Sequence, residues 1–131
     1  MIGCGRISVM HFDGILRSPL TRLVSCCDIR PERAKAAAKK YGCKAYVSYE
    51  EMIAAEKPDA VHICLPHYLH APAAQYAISR GVNVLTEKPM TISLADAEKT
   101  VALAKEKGVN YHVIFQCRYN AASKLVKQRA E

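Results

Sequence analysis

Gly3-Cys4-Gly5-Arg6-Ile7-Ser8 opens the chain, and everything downstream is organised around it. Gly3 permits a tight turn, and Gly5 lets the backbone approach a pyrophosphate with no side chain in the way. Ser8 stands where the glycine fingerprint G-x-G-x-x-G has its third glycine, and a small residue there still allows close helix–strand packing. A Gly-x-Gly pair alone also occurs in ordinary structural turns. The order of the following segments is what singles this one out.

Working outward, Val9, Phe12, Ile15 and Leu16 recur at helical spacing, and Ser18-Pro19 ends that helix. Residues 20–27 read as a buried strand bounded by Asp28. Pro31 suits the first turn of a helix that runs to Tyr41 and stops at Gly42. Residues 44–47 form a short strand, and Ser48 with Glu51 reads as a capping box for a short helix. Residues 60–65 are the next strand, closed by Pro66, with a helix from about Ala71 to the residues before Gly81. Residues 82–86 run straight into Glu87-Lys88-Pro89. Ser93 with Asp96 opens a helix carrying Leu94, Ala97, Val101 and Leu103. Residues 111–115 are the last strand, and Asn120 caps a terminal helix.

This alternation predicts a single α/β domain over residues 1–131, a Rossmann-type doubly wound parallel sheet covered on both faces. Only Met1 and Ile2 precede the glycine turn, whereas a strand of ordinary length has about 5–6 residues. The first strand is therefore expected to be truncated, a stub at the middle of the sheet. Ligands bind such sheets beyond the carboxyl ends of the strands, where strand order reverses. That rule gathers the glycine turn, Asp28, residues 65–70, Lys88 and residues 116–119 along one edge.

Asp28 lies 20 residues after Ser8. A carboxylate there accepts from the ribose hydroxyls of a dinucleotide and favours NAD over NADP. Arg30 and Arg33 pull the other way, since a nearby arginine holds a 2′-phosphate. Asp28 also reads as a simple cap for the Pro31 helix. Lys88 is the candidate catalytic residue. Fixed in a stiff turn whose Lys88-Pro89 bond has access to the cis form, its ammonium orients a substrate oxygen and stabilises charge developing on it. A surface lysine in a turn is the alternative. Glu87 sets the charge or position of that lysine. His70 reads as a helix-start or cofactor-contact residue and equally as a bystander. His62 reads as a packed core histidine, while His11 and His112 carry no assignment.

The excess of 19 lysines and arginines over 12 acids gives a net charge of +7. The cations are scattered rather than blocked, which argues against a nucleic-acid surface and suits a solvated face near an anionic cofactor. No apolar run approaches the roughly 20 residues that cross a bilayer, and no signal peptide is apparent. The six cysteines show no metal-ligand spacing and mostly sit in apolar runs, so no metal is expected and a reducing, cytoplasmic setting is.

The stretches at 3–8, 27–33, 65–70, 81–89 and 116–120 together resemble the N-terminal half of the glucose–fructose oxidoreductase and inositol dehydrogenase family, Gfo/Idh/MocA. Glu87-Lys88-Pro89 is the most specific of them. The resemblance implies NAD(P)-dependent hydride transfer to or from a sugar, polyol or related hydroxy compound. It places the cofactor on Gly5, Arg6, Ile7, Asp28, Leu65, His70 and Glu87, Lys88 as the catalytic lysine, and Gln116 and Arg118 near the nicotinamide. It also implies a C-terminal β domain with most substrate contacts and an oligomer interface, hence a possible homo-oligomer. That domain is absent here, so the chain alone is expected to bind dinucleotide without turnover. A non-catalytic dinucleotide-binding or protein-interaction module is the alternative.

Overall fold

The backbone of Met1 and Ile2 occupies the centre of the sheet in the computed structural model, which describes residues 1–130. Ile2 bridges in parallel to Cys27 on one side and Ile63 on the other. Its N–H donates to His62 O and its carbonyl accepts from Cys64 N–H, each at 2.8 Å; Gly3 N–H and Met1 O pair with Cys27 at 2.9 Å. The stub thereby joins two half-sheets: β1 (Ser25–Cys27) with β2 (Lys44–Tyr46), and β3 (Ala60–Ile63), β4 (Asn83–Thr86) and β5 (Tyr111–Val113). All pairings are parallel, and the order is β2-β1-Ile2-β3-β4-β5.

Helices α1 (Ser8–Arg17), α2 (Pro31–Tyr41), α3 (Tyr49–Glu56), α4 (His70–Ser79) and α5 (Leu94–Lys107) connect the strands. Strand parity sorts the core into two layers. Ile2, Cys27, Val61, Ile63 and Val84 point to one face, against Met52 and Ile53 of α3 and Ala73, Ala74, Ala77 and Ile78 of α4. Met1, Cys26 and Cys64 point to the other, with Phe12 of α1, Ala37, Ala38 and Tyr41 of α2. Phe12 stacks on Tyr41 with ring centroids 4.1 Å apart. Burial pushes the Cys27 and Cys64 thiols up to about 12, so both pack as small apolar groups.

The local signals act as their chemistry requires. Gly42 and Gly108 end α2 and α5 in the left-handed conformation. Ser48 and Ser93 accept from the N–H groups of Glu51 and Asp96. Two details differ from expectation. The second strand is only residues 25–27, because Leu20 lies in an exposed lead-in. The inward face of α1 is Ser8, His11 and Phe12, with Val9 and Leu16 exposed; that of α5 is Thr100 and Ala104, with Leu94 and Val101 exposed. α6 (Ala121–Ala130) follows a 3-10 turn at Gln116–Tyr119 and buries none of its residues.

Ile2 is 1 % exposed, and its truncation leaves a cavity where both half-sheets meet. Ile2→Ala should lower unfolding stability by about 2–4 kcal/mol in urea titration. A loss below about 0.5 kcal/mol would show that the centre of the sheet does not depend on it.

Candidate functional site

The carboxyl ends of the strands carry the glycine turn after Ile2, Asp28 after β1, residues 64–69 after β3, Glu87-Lys88-Pro89 after β4 and Gln116–Tyr119 after β5. Side-chain bonds tie the first four of these loops together. Cys4 N–H donates to Asp28 Oδ2 and Arg30 N–H to Asp28 Oδ1, each at 2.9 Å. Asp28 is thus nearly buried and fastens the glycine turn to the β1–α2 connection, while each oxygen keeps a lone pair for another donor. It does not cap α2: the N-cap there is Arg30, with no side-chain cap.

The two glycines do different work. Gly3 adopts φ 91°, and a Cβ on it would stand 2.5 Å from Cys64 O and 3.2 Å from a Leu65 methyl. It brings the turn against the end of β3. A Cβ on Gly5 would meet nothing within 4 Å, so the backbone there faces open space. Ser8 donates to Gly5 O at 2.6 Å and closes the turn from beneath. α1 then begins at Ile7 with no side-chain cap, leaving its N–H groups and positive dipole end toward that space. Arg6 and Ile7 are exposed beside it. An open backbone cradle, an uncapped helix start and a buried carboxylate with spare acceptors fit a dinucleotide.

Lys88 is exposed, its ammonium without an ion pair among the described residues, and the Lys88-Pro89 peptide is cis. Its N–H donates to Glu87 Oε2 at 3.2 Å, and Glu87 N–H donates to Ile63 O at 3.0 Å. Glu87 Oε1 lies 3.0 Å from His11 Nε2, and His11 Nδ1 lies 3.1 Å from His62 Nδ1. His70 is fully buried with Nδ1 2.7 Å from Pro89 O and Nε2 2.8 Å from Leu65 O. Its ring offers no free nitrogen to a ligand; it pins the lysine turn to the end of β3 instead.

Gln116 and Arg118 stand on the exposed turn after β5, and Arg33 on the exposed first turn of α2; none makes a polar side-chain contact with the glycine turn, Asp28 or Lys88 among the described residues. His11 and His62 are what the sequence reading missed. His11 falls three residues after Ser8 on the inward face of α1, and His62 has opposite parity to Val61 and Ile63, so it faces α1 rather than the apolar layer. Cavities of about 570 and 380 Å³ lie at the opposite edge of the sheet, and none of Gly5, Asp28, His70, Glu87 or Lys88 lines either. Among the described residues there is no group of three His, Cys, Asp or Glu placed to hold a metal, and no helix is long and apolar enough to cross a membrane.

Residues 1–115 match the Gfo/Idh/MocA family model, the oxidoreductase family with an NAD-binding Rossmann fold. The chain belongs to this family. As a Gfo/Idh/MocA chain it is 35 % identical over 129 residues to dTDP-3,4-didehydro-2,6-dideoxy-alpha-D-glucose 3-reductase of Streptomyces violaceoruber, covering 95 % of this chain and 38 % of that protein. The WlbA dehydrogenase of Bordetella pertussis, solved in complex with NADH and UDP-GlcNAcA, superposes with a TM-score of 0.96 at 35 % identity, over 98 % of this chain and 40 % of that one. A 3-ketoreductase of Actinomadura kijaniata, solved with TDP-benzene and NADP, superposes with a TM-score of 0.91 at 28 % identity, over 98 % and 41 %. The chain spans about 40 % of the length of these relatives and corresponds to their NAD(P)-binding Rossmann domain.

The glycine geometry gives a contrast. Gly3→Ala should cost about 2 kcal/mol or more, from a disfavoured φ and a clash with backbone, while Gly5→Ala should stay within about 1 kcal/mol. Equal effects in thermal or urea unfolding would contradict the division of labour. Burial, and then the neighbouring His11, lower the His62 pKa to about 4. Between its unfolded value of about 6.5 and about 4 only the unfolded chain takes up that proton, so stability falls as pH falls across this window. The loss should be on the order of 3 kcal/mol and should shrink in His62→Gln, as read by urea unfolding at about pH 7 and pH 4. A wild-type pH dependence identical to that of the variant would contradict it.

Proposed function

We propose that this chain is the cofactor half of an enzyme that moves a hydride between a nicotinamide and a sugar, polyol or related hydroxy compound, with NAD preferred over NADP. One observation carries the reading: the turn whose Gly5 faces open space is bonded through Cys4 to Asp28, so the phosphate cradle and the ribose-reading carboxylate are one unit. The relatives solved with NADH and with NADP support a nicotinamide cofactor without choosing between them. The preference rests on Asp28, whose remaining lone pairs accept hydroxyl hydrogens and repel a 2′-phosphate. Arg33 and Arg30, both exposed, are free to swing toward solvent.

In this reading Gly3, Gly5, Arg6 and Ile7 hold the diphosphate, Asp28 the ribose, and Leu65 and Glu87 line the path to the nicotinamide. His70 shapes that path by fixing two carbonyls. Gln116 and Arg118 border the far end from the β5 side. The bound nicotinamide supplies or accepts the hydride. Lys88 donates a hydrogen bond to the substrate oxygen and stabilises the negative charge that grows there as the carbon–oxygen bond changes order. Two of the named relatives act on, or were solved with, nucleotide-linked sugars, which supports a sugar-like substrate. A cytoplasmic, homo-oligomeric enzyme is the setting this reading assigns.

Fluorescence titration with NADH tests it. Gly5→Val should raise the dissociation constant by about tenfold or more with unchanged thermal stability, because the side chain fills the cradle. In the full-length protein, Lys88→Ala should remove turnover by about two orders of magnitude or more while NADH binding survives. Unaltered NADH binding in Gly5→Val would contradict the cofactor assignment, and retained turnover in Lys88→Ala the catalytic one.

A further inference from the structure

We propose that His11 is a positioning residue for the lysine turn: on α1, it grips the Glu87 carboxylate and so holds the backbone from which Lys88 projects. This rests on the reading of Lys88 as the catalytic group. The geometry is a chain of three side chains from three separate elements, His62 on β3, His11 on α1 and Glu87 after β4. The side chains of His11 and Glu87 are 5 % and 12 % exposed, so water does not readily replace either partner.

Each oxygen of Glu87 has one task. Oε1 meets His11 Nε2, and Oε2 accepts the Lys88 N–H. A carboxylate only accepts, so Nε2 of His11 carries the hydrogen. His11 Nδ1 then faces His62 Nδ1 at 3.1 Å, and a single proton must sit between them. Burial keeps His62 uncharged near neutral pH, its pKa lowered to about 4. With neutral His11, His62 is the Nδ1–H tautomer and donates; with charged His11, it accepts at Nδ1. Either arrangement leaves the Nε2–H on Glu87. The second histidine thus fixes the ring orientation of the first, and the first fixes the carboxylate. The edge-on packing of the two rings, with centroids 5.3 Å apart, adds to that hold. Because α1 starts directly after the glycine turn, the same helix that presents its N-terminus to the cradle also anchors the lysine turn.

The test uses this chain, with backbone amide exchange and histidine nitrogen NMR as readouts. His11→Ala should speed exchange of the Lys88 amide by about tenfold, because Glu87 loses its anchor. His11→Gln, whose amide N–H still reaches the carboxylate, should restore most of the protection. Glu87→Gln should expose the same amide without altering the Asp28–Cys4 bond. In the wild type, His11 Nε2 should show the shift of a protonated nitrogen bonded to a carboxylate. NADH affinity should change less than about threefold in His11→Gln. Unchanged Lys88 exchange in His11→Ala, or equal exchange in the Ala and Gln variants, would overturn the proposal. If His11→Ala fails to fold, exchange in Glu87→Gln and the wild-type nitrogen shifts decide it: an unperturbed Lys88 amide or an unprotonated Nε2 overturns it. Failure of the wild type to bind NADH would sink the cofactor reading, while these exchange and nitrogen readouts would still stand on their own.

Discussion

The backbone of Ile2 is the constraint on which the remainder depends. Its two flanking peptide groups are shared between β1 and β3, so Ile2 joins the two half-sheets. Each such bond adds only about 1 kcal/mol net, yet leaving these buried groups unpaired would cost more. The glycine turn leaves the sheet at Gly3, immediately after these bonds. Its height and direction are therefore set by the sheet and not by the loop. Gly3 then presses against Cys64 O, which no residue with a Cβ could do in that conformation.

From that fixed point the rim is assembled by acids acting as fasteners. Asp28 holds the N–H groups of Cys4 and Arg30; Glu87 holds that of Lys88 and meets His11. His70 does the complementary job with two carbonyls. Loops that leave four different points of the sheet are thus locked by groups that each bridge two elements. Preorganisation of this kind lowers the ordering cost of a ligand and holds the backbone from which Lys88 projects.

Much of this was legible in the sequence, for physical reasons that differ by element. Helix ends were readable because Ser48, Ser93, Gly42 and Gly108 act through their own backbone neighbourhood. The alternation of strand and helix was readable because short, largely apolar runs such as residues 60–65 and 82–86 alternate with helix-spaced segments bounded by glycine or proline. The inward faces of α1 and α5 were not legible, since Ser8, His11, Thr100 and Ala104 pack where larger apolar neighbours were expected. Nor were the roles of His11, His62 and His70, whose partners lie 51 and 76, 51, and 5 and 19 residues away. The longer of these pairings are set by sheet order, and local pattern carries no record of them.

In the proposed function one sheet edge gathers the glycine turn, the acid after β1 and the lysine turn around one nucleotide. Backbone amide NMR of the chain titrated with NADH addresses it most directly. Gly5, Arg6, Ile7, Asp28, Leu65 and Lys88 should shift together along one binding curve, with Lys57, Asp59 and Asn83 at the opposite edge unmoved. Shifts confined to the opposite edge, or a glycine turn that responds while Lys88 does not, would contradict it.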